Sequence, residues 1–140
     1  MVNDSWDSKV RAMEKIKIPM IEVNNKYEKI FSLKSIAVVG MSLNPERASH
    51  KVAIYLQKQE YSVIPINPLH TEIANEKCYP SLVEYPDSVD IVDVFRKSDF
   101  VLPIAEDAIK IGAKVLWLQD GVINNQAKEI AEKNGLIVVM

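Results

Sequence analysis

Between Ser35 and Met140 the chain alternates short apolar runs with longer segments whose apolar residues recur every three or four positions. Ser35-Ile-Ala-Val-Val-Gly40 is apolar on both faces and ends in glycine, the pattern of a buried parallel strand. A polar loop, Met41 to Ser49, leads into His50–Glu60, where Val52, Ala53 and Leu56 fall on one helical face. Ser62-Val-Ile-Pro-Ile-Asn67 predicts a second strand closed by Pro68. Pro65 suits a strand end, where its missing N–H matters least. Leu69 to Pro86 reads as a loop or short strand-and-turn. Asp90–Phe95 predicts a third strand and Asp99–Ile111 a helix whose inner face is Val101, Ile104, Ala105, Ala108 and Ile109. Pro103 fits its first turn and Gly112 its stop. Lys114–Leu118, Asn124–Asn134 and Leu136–Met140 complete a strand, helix and strand. Strands joined through helices pair in parallel by right-handed crossovers. The expected fold is an α/β, doubly wound, Rossmann-like parallel sheet of about five strands with helices on both faces.

Residues 1–34 break this rhythm. Val10, Met13 and Ile16 keep helical spacing until Pro19, and Tyr27, Ile30 and Phe31 mark a second short helix. The expectation is an N-terminal helical extension, 1–34, on a single domain, 35–140.

Composition narrows the function. Seventeen basic and 19 acidic side chains leave a net charge of −2, which argues against a nucleic-acid binder working through bulk electrostatics. One cysteine, Cys78, and two histidines, His50 and His70, cannot make an internal disulfide and make a structural metal site unexpected. No apolar run approaches the roughly 20 residues of a membrane helix, and the charged start lacks a signal-peptide core. A cytoplasmic, reduced protein is expected, with no metal.

Ligands of doubly wound sheets bind beyond the carboxyl ends of the strands. After the first strand stands Gly40-Met41-Ser42-Leu43-Asn44-Pro45-Glu46-Arg47-Ala48-Ser49. A dinucleotide fingerprint needs three closely spaced glycines and an acid at the end of strand two. Here the next glycine is Gly112, and strand two ends in Ile66-Asn67-Pro68. Phosphate-binding parts remain: Gly40 for a sharp turn, Ser42 and Ser49 as donors, Arg47 as charge, and a helix start that favours an anion. Ser49 or Asn44 serves equally well as a plain helix cap.

Val38-Val39-Gly40-Met41-Ser42-Leu43-Asn44-Pro45-Glu46-Arg47 resembles the opening of the stand-alone CoA-binding domain family. That family is related to the CoA-binding domains of succinyl-CoA synthetase alpha subunits and ADP-forming acyl-CoA synthetases. Val63-Ile64-Pro65-Ile66-Asn67-Pro68, Lys77-Cys78-Tyr79-Pro80-Ser81-Leu82, Val89-Asp90-Ile91-Val92-Asp93-Val94-Phe95-Arg96 and Ala113-Lys114-Val115-Leu116-Trp117-Leu118-Gln119 follow in the family's order. The resemblance implies CoA, free or acylated, as ligand. Gly40, Met41, Ser42, Asn44, Arg47 and Ser49 would hold the pyrophosphate, and Asn67 and Pro68 the adenosine end. His70 would lie near the 3′-phosphate and Tyr79 near the adenine or pantetheine arm, with Phe95 and Arg96 forming the other wall. Core packing is the plainer role for Tyr79 and Phe95. Related chains commonly run on past the last strand into a segment with another cysteine; this one stops at Met140. Asp120 could repel an anionic ligand or cap the next helix.

No catalytic residues are expected: there is no P-loop and no recognisable Ser-His-Asp set. Asp90 and Asp93 read as strand-end or supporting groups. The leading function is a CoA-binding carrier, sensor or regulatory module. The alternatives are a component of an acyl-CoA-using enzyme, a redox module in which Cys78 forms a mixed disulfide with CoA, or a nucleotide-responsive regulator. A homo-oligomer or a protein partner stays open.

Overall fold

The structure, a computed structural model, describes residues 33–119 and 121–140. The expected extension lies, apart from Leu33 and Lys34, outside the described residues, as does Asp120.

Five strands form one parallel sheet: β1 (Ser35–Val39), β2 (Ser62–Ile66), β5 (Ile91–Val94), β6 (Val115–Leu118) and β7 (Ile137–Val139). Its spatial order is β2-β1-β5-β6-β7. The first connection runs outward from β1 to β2, and the chain then returns to the other side of β1 as β5. The strand ends of β1 and β5 therefore diverge, which is the switch point where this architecture leaves a crevice.

The double-sided hydrophobicity of the strands has its counterpart in two apolar layers. On one face Ala37, Val39, Val92, Val94, Leu116 and Leu118 pack beneath two helices, α2 (Val101–Lys110) and α3 (Asn125–Lys133). On the other, Ile36, Val38 and Val63 lie in one cluster with Val52, Ala53 and Leu56 of the helix α1 (Ala48–Lys58). The stripes expected on α1 and α2 are buried, with Ile104 and Ile109 of α2 only partly so, and α3 buries Ala127 and Ala131.

Several boundaries differ from expectation for local reasons. The helix anticipated from Asp99 is a 3₁₀ turn, Ser98–Phe100, followed by α2, which carries Pro103 in its first turn. Pro103 lacks an N–H that the first turn would leave unused. Pro65 is not at the end of β2; it pairs opposite Val38. It is tolerated because β2 is an edge strand. Ser62 donates to Lys34 and Gly40 donates to Ile66, so those residues aim their backbone groups at β1 while Pro65 aims its own at the open side. Its carbonyl there accepts the Tyr79 amide at 3.0 Å. A two-stranded hairpin, β3 (Glu72–Ile73) and β4 (Glu76–Lys77), turns through Ala74 and Asn75, both at positive φ, in the run expected to be a loop or short strand-and-turn.

Asp90 stands at the amino end of β5, on the sheet edge opposite the crevice. Its carboxylate accepts the amides of Lys34 at 3.1 Å and Ser35 at 3.3 Å, and Lys114 Nζ lies 3.7 Å away. Burial alone would raise its pKa, but the two amides, the Ser35 hydroxyl and Lys114 together hold it below the usual carboxylate value. A depressed folded-state pKa adds stability that is present above the unfolded carboxylate value of about 4 and is lost as pH falls through the folded one. Asp90→Asn is therefore expected to lower the melting temperature at pH 7 and to converge on the wild type as pH falls through the depressed folded-state value. Melting curves across pH test this; a gap constant with pH would contradict it.

Candidate functional site at the carboxyl edge of the sheet

The loop between β1 and α1 organises the crevice. Gly40 takes φ +85°, and its amide donates to the Ile66 carbonyl at 2.9 Å. A Cβ there would stand 2.5 Å from the Phe95 carbonyl oxygen, so the glycine is required by both conformation and space.

Beyond it the loop is braced by its own polar groups. The Ser49 hydroxyl accepts the Ser42 amide at 2.8 Å. The Ser42 hydroxyl accepts the Asn44 amide at 3.1 Å, and Asn44 Oδ1 accepts the Glu46 amide at 2.9 Å. His50 Nδ1 lies 2.9 Å from the Ser42 carbonyl; since a carbonyl only accepts, Nδ1 carries the proton. Neither Ser49 nor Asn44 caps α1. Arg47 occupies the cap position, and its side chain makes no cap hydrogen bond. A side-chain cap is present at α3, where Asn124 accepts the Ala127 amide.

This bracing leaves specific donors free. The amides of Met41, Leu43, Ala48 and Ser49 have no acceptor among the described residues. The last two belong to the first turn of α1, where the helix dipole favours an anion. Arg47 is exposed and makes no ion pair among the described residues.

Asn67 ties the two loops together. Its Nδ2 donates to the Met41 carbonyl and its Oδ1 accepts the Leu69 amide, both at 2.9 Å. The Asn67 amide donates to the Tyr79 carbonyl, and the Cys78 thiol donates to the Asn67 carbonyl at 3.4 Å.

Beside the loop lies a cleft of about 210 Å³, on the α2 side of the β1 and β2 ends. Its floor is Val39, Gly40 and Ile66; Pro68, Pro80, Ser81 and Leu82 close one side. Arg96, Phe100, Pro103, Ile104 and Asp107 close the other. The Arg96 guanidinium lies 4.5 Å from the centre of the Phe100 ring, a cation–π stack that keeps the charge at the cleft mouth.

Of the residues singled out from the sequence, Gly40, Pro68 and Arg96 line this cleft. Ser42, Asn44, Arg47 and Ser49 form the adjoining loop. The Met41 side chain is fully buried in the α1-side core, leaving only its backbone to the crevice. Phe95 packs partly against the same core. Tyr79 packs on the α2-side core, edge-on to Tyr85 at 5.1 Å, with Lys77 Nζ over its ring. His70 is half-buried just beyond Pro68. The walls given by Pro80, Ser81, Phe100, Ile104 and Asp107 were missed, because their approach depends on how α2 and the 79–82 segment fold over the strand ends.

Cys78 is buried, and burial pushes its thiol pKa up despite the Asn67 backbone contact, which lowers it. That environment opposes the thiolate a mixed disulfide needs. Asp93 is fully buried, and Gln119 Nε2 donates to its Oδ1. Among the described residues there is no group of three or more histidines, cysteines or acids able to hold a metal ion. No helix among them is long and apolar enough to cross a membrane.

A turn with amides and an arginine that have no partner among the described residues, together with an adjoining apolar cleft, suits a ligand with a phosphate group and a flat apolar part. Comparison with known proteins agrees. Residues 34–140 match the CoA binding domain family. The chain is 39% identical over 107 residues to the uncharacterized protein YneT of Bacillus subtilis, covering 76% of this chain and 79% of that one. A solved hypothetical protein from Pyrococcus horikoshii OT3 superposes with a TM-score of 0.80 at 40% identity, covering 83% of this chain and 82% of that one. The alpha subunit of ADP-forming acetate–CoA ligase I from Pyrococcus furiosus is 30% identical over 115 residues; the match covers 76% of this chain but 25% of the subunit. With a five-stranded fold, a switch-point loop and a family match that all span the same residues, the chain belongs to the CoA binding domain family.

Proposed function

We propose that the chain binds coenzyme A, free or acylated, at the carboxyl edge of its sheet and acts as a carrier, sensor or regulatory module. The observation that carries this reading is the free-amide turn with Arg47, set beside the apolar cleft at the β1/β5 switch point. The pyrophosphate lies over Gly40 and against Ser42, Asn44, Arg47 and Ser49, where backbone N–H groups and a helix start favour an anion. Met41 contributes its amide, Asn67 and Pro68 flank the adenosine, and His70 stands toward the 3′-phosphate. Phe95 and Arg96 form the far wall, with Tyr79 supporting the near one. No residue of this set is assigned a catalytic step.

The likeness to acetate–CoA ligase subunits favours a second reading, a component of an acyl-CoA-using enzyme completed by a partner. Turnover of acyl-CoA by the chain together with such a partner would replace the carrier reading with that one. The buried, raised-pKa thiol of Cys78 speaks against the redox reading.

Calorimetric titration with CoA, 3′-dephospho-CoA, acetyl-CoA, NAD and ATP tests the proposal. CoA is expected to bind most tightly with acetyl-CoA close behind, and Arg47→Ala to weaken CoA by about tenfold, the scale of one charge-assisted contact. Dephospho-CoA is expected to bind more weakly than CoA. Absence of CoA binding, or equal binding of all five ligands, would overturn the reading.

A further inference from the structure

Among the described residues two charged groups line the cleft, Arg96 beside the β1 loop and Asp107 further along α2. Arg96 is at the loop end: its Cδ would lie 3.0 Å from a Cβ placed on Gly40. Asp107 lies in α2, seven residues beyond Phe100, which is roughly 10 Å along the helix at 1.5 Å per residue. Between them the walls are mainly apolar, built by Pro68, Pro80, Leu82, Pro103 and Ile104.

Neither charge is paired among the described residues. Arg96 meets the Phe100 ring but makes no ion pair among the described residues. The Asp107 side chain likewise has no hydrogen bond or ion pair among them; its backbone carbonyl accepts the Ile111 amide. A carboxylate on an apolar wall gains most from a hydrogen-bond donor brought in by the ligand. It also repels a second anionic group, which sets the direction of binding: phosphate toward Arg96 and Gly40, a neutral donor toward Asp107.

We propose that this cleft seats the purine ring of an adenine nucleotide and that Asp107 reads its 6-amino group. The assignment rests on the CoA reading and adds to it a base-specificity residue. The 6-amino group is the exocyclic donor of adenine, and a 6-oxo purine presents an acceptor at the same position. A carboxylate accepts only, so it distinguishes the two. The prolines and Ile104 supply apolar contact to the ring, and discrimination falls to Asp107 because buried apolar walls tolerate isosteres while an unmatched polar group does not. An acyl chain in the cleft would leave the carboxylate against hydrocarbon, which costs rather than contributes.

Calorimetry with CoA and its hypoxanthine-base (6-oxo) analogue tests the inference on the whole chain. The wild type is expected to bind CoA about tenfold or more tighter than the analogue. Asp107→Asn, whose amide can turn to offer either a donor or an acceptor, is expected to shrink that preference to about twofold while keeping both ligands bound. Equal binding of CoA and the analogue by the wild type would overturn the inference and leave the CoA reading standing. So would an Asp107→Asn variant that keeps the full preference. Failure of the wild type to bind CoA would overturn the CoA reading, and this inference with it.

Discussion

Replacing Gly40 with alanine is expected to lower the melting temperature by about 5–15 °C and to weaken CoA binding by about tenfold or more. Two costs add. At φ +85° a β-carbon is strained wherever it stands, at about 1 kcal/mol or more. Here it would also stand 2.5 Å from the Phe95 carbonyl oxygen. That oxygen cannot step aside cheaply, because the Phe95 amide is held to the Val39 carbonyl at 2.9 Å. Relief requires β1 and β5 to spread at their carboxyl ends, which is where the loop and the cleft mouth meet. A total near 2–4 kcal/mol is the scale of strain at a special backbone position combined with a steric clash. Gly112→Ala supplies the control: φ is +74°, yet nothing lies within 4 Å of the added carbon. It is expected to cost about 1 kcal/mol and leave CoA binding intact. Thermal melts and titrations of the two variants separate the effects. Equal losses from both would show that the approach to Phe95 carries no weight.

The architecture was legible because it rests on signals that local sequence carries. Apolar runs such as Ile36–Val39 and Val115–Leu118 are buried on both faces, and only a covered parallel strand calls for that composition. The helical stripes were equally direct, Val52, Ala53 and Leu56 being the clearest. What stayed hidden depends on which distant groups meet. Pro65 looked misplaced inside a strand, and only the sheet order reveals that its missing N–H faces an edge. Ser49 read as a cap or a phosphate donor; it does not cap α1, and its hydroxyl accepts the Ser42 amide from seven residues earlier while keeping its own proton to donate. Asp107 sat on a helix face with no distinguishing neighbour in sequence, and its place on the cleft wall follows from how α2 crosses the strand ends.

The lack of an acid at the end of β2 now has a structural meaning. A dinucleotide-binding sheet uses that position to accept from ribose hydroxyls. Here Asn67 stands there with its amide nitrogen on Met41 and its amide oxygen on Leu69. The side chain is committed to shaping the site and, being an amide, does not present the carboxylate that a dinucleotide-binding sheet offers there. In the proposed reading, recognition falls to the β1–α1 loop on one side and the apolar cleft on the other, both of which Asn67 helps to position.

That double role makes Asn67 the second position of large expected effect. Asn67→Ala removes two side-chain hydrogen bonds at once and leaves the Met41 carbonyl and the Leu69 amide without their partners. A net loss of about 2 kcal/mol follows from two such bonds, with a fall in melting temperature of about 5–10 °C. CoA affinity is expected to drop about tenfold as the β1 and β2 loops lose their common brace. Asn67→Asp distinguishes bracing from mere bulk. The carboxylate still accepts from Leu69, so the turn at Pro68 is kept. It has no proton to donate to Met41, however, and it sets a negative charge against that carbonyl and beside the phosphate loop. Asn67→Asp is therefore expected to melt no lower than Asn67→Ala but to bind CoA more weakly, with the deficit shrinking at higher salt as the charge is screened. If Asn67→Asp instead binds CoA as the wild type does, the bridge to Met41 does not hold the loop, and the free amides beyond Gly40 owe their arrangement to the Ser42–Ser49 and Asn44 contacts alone.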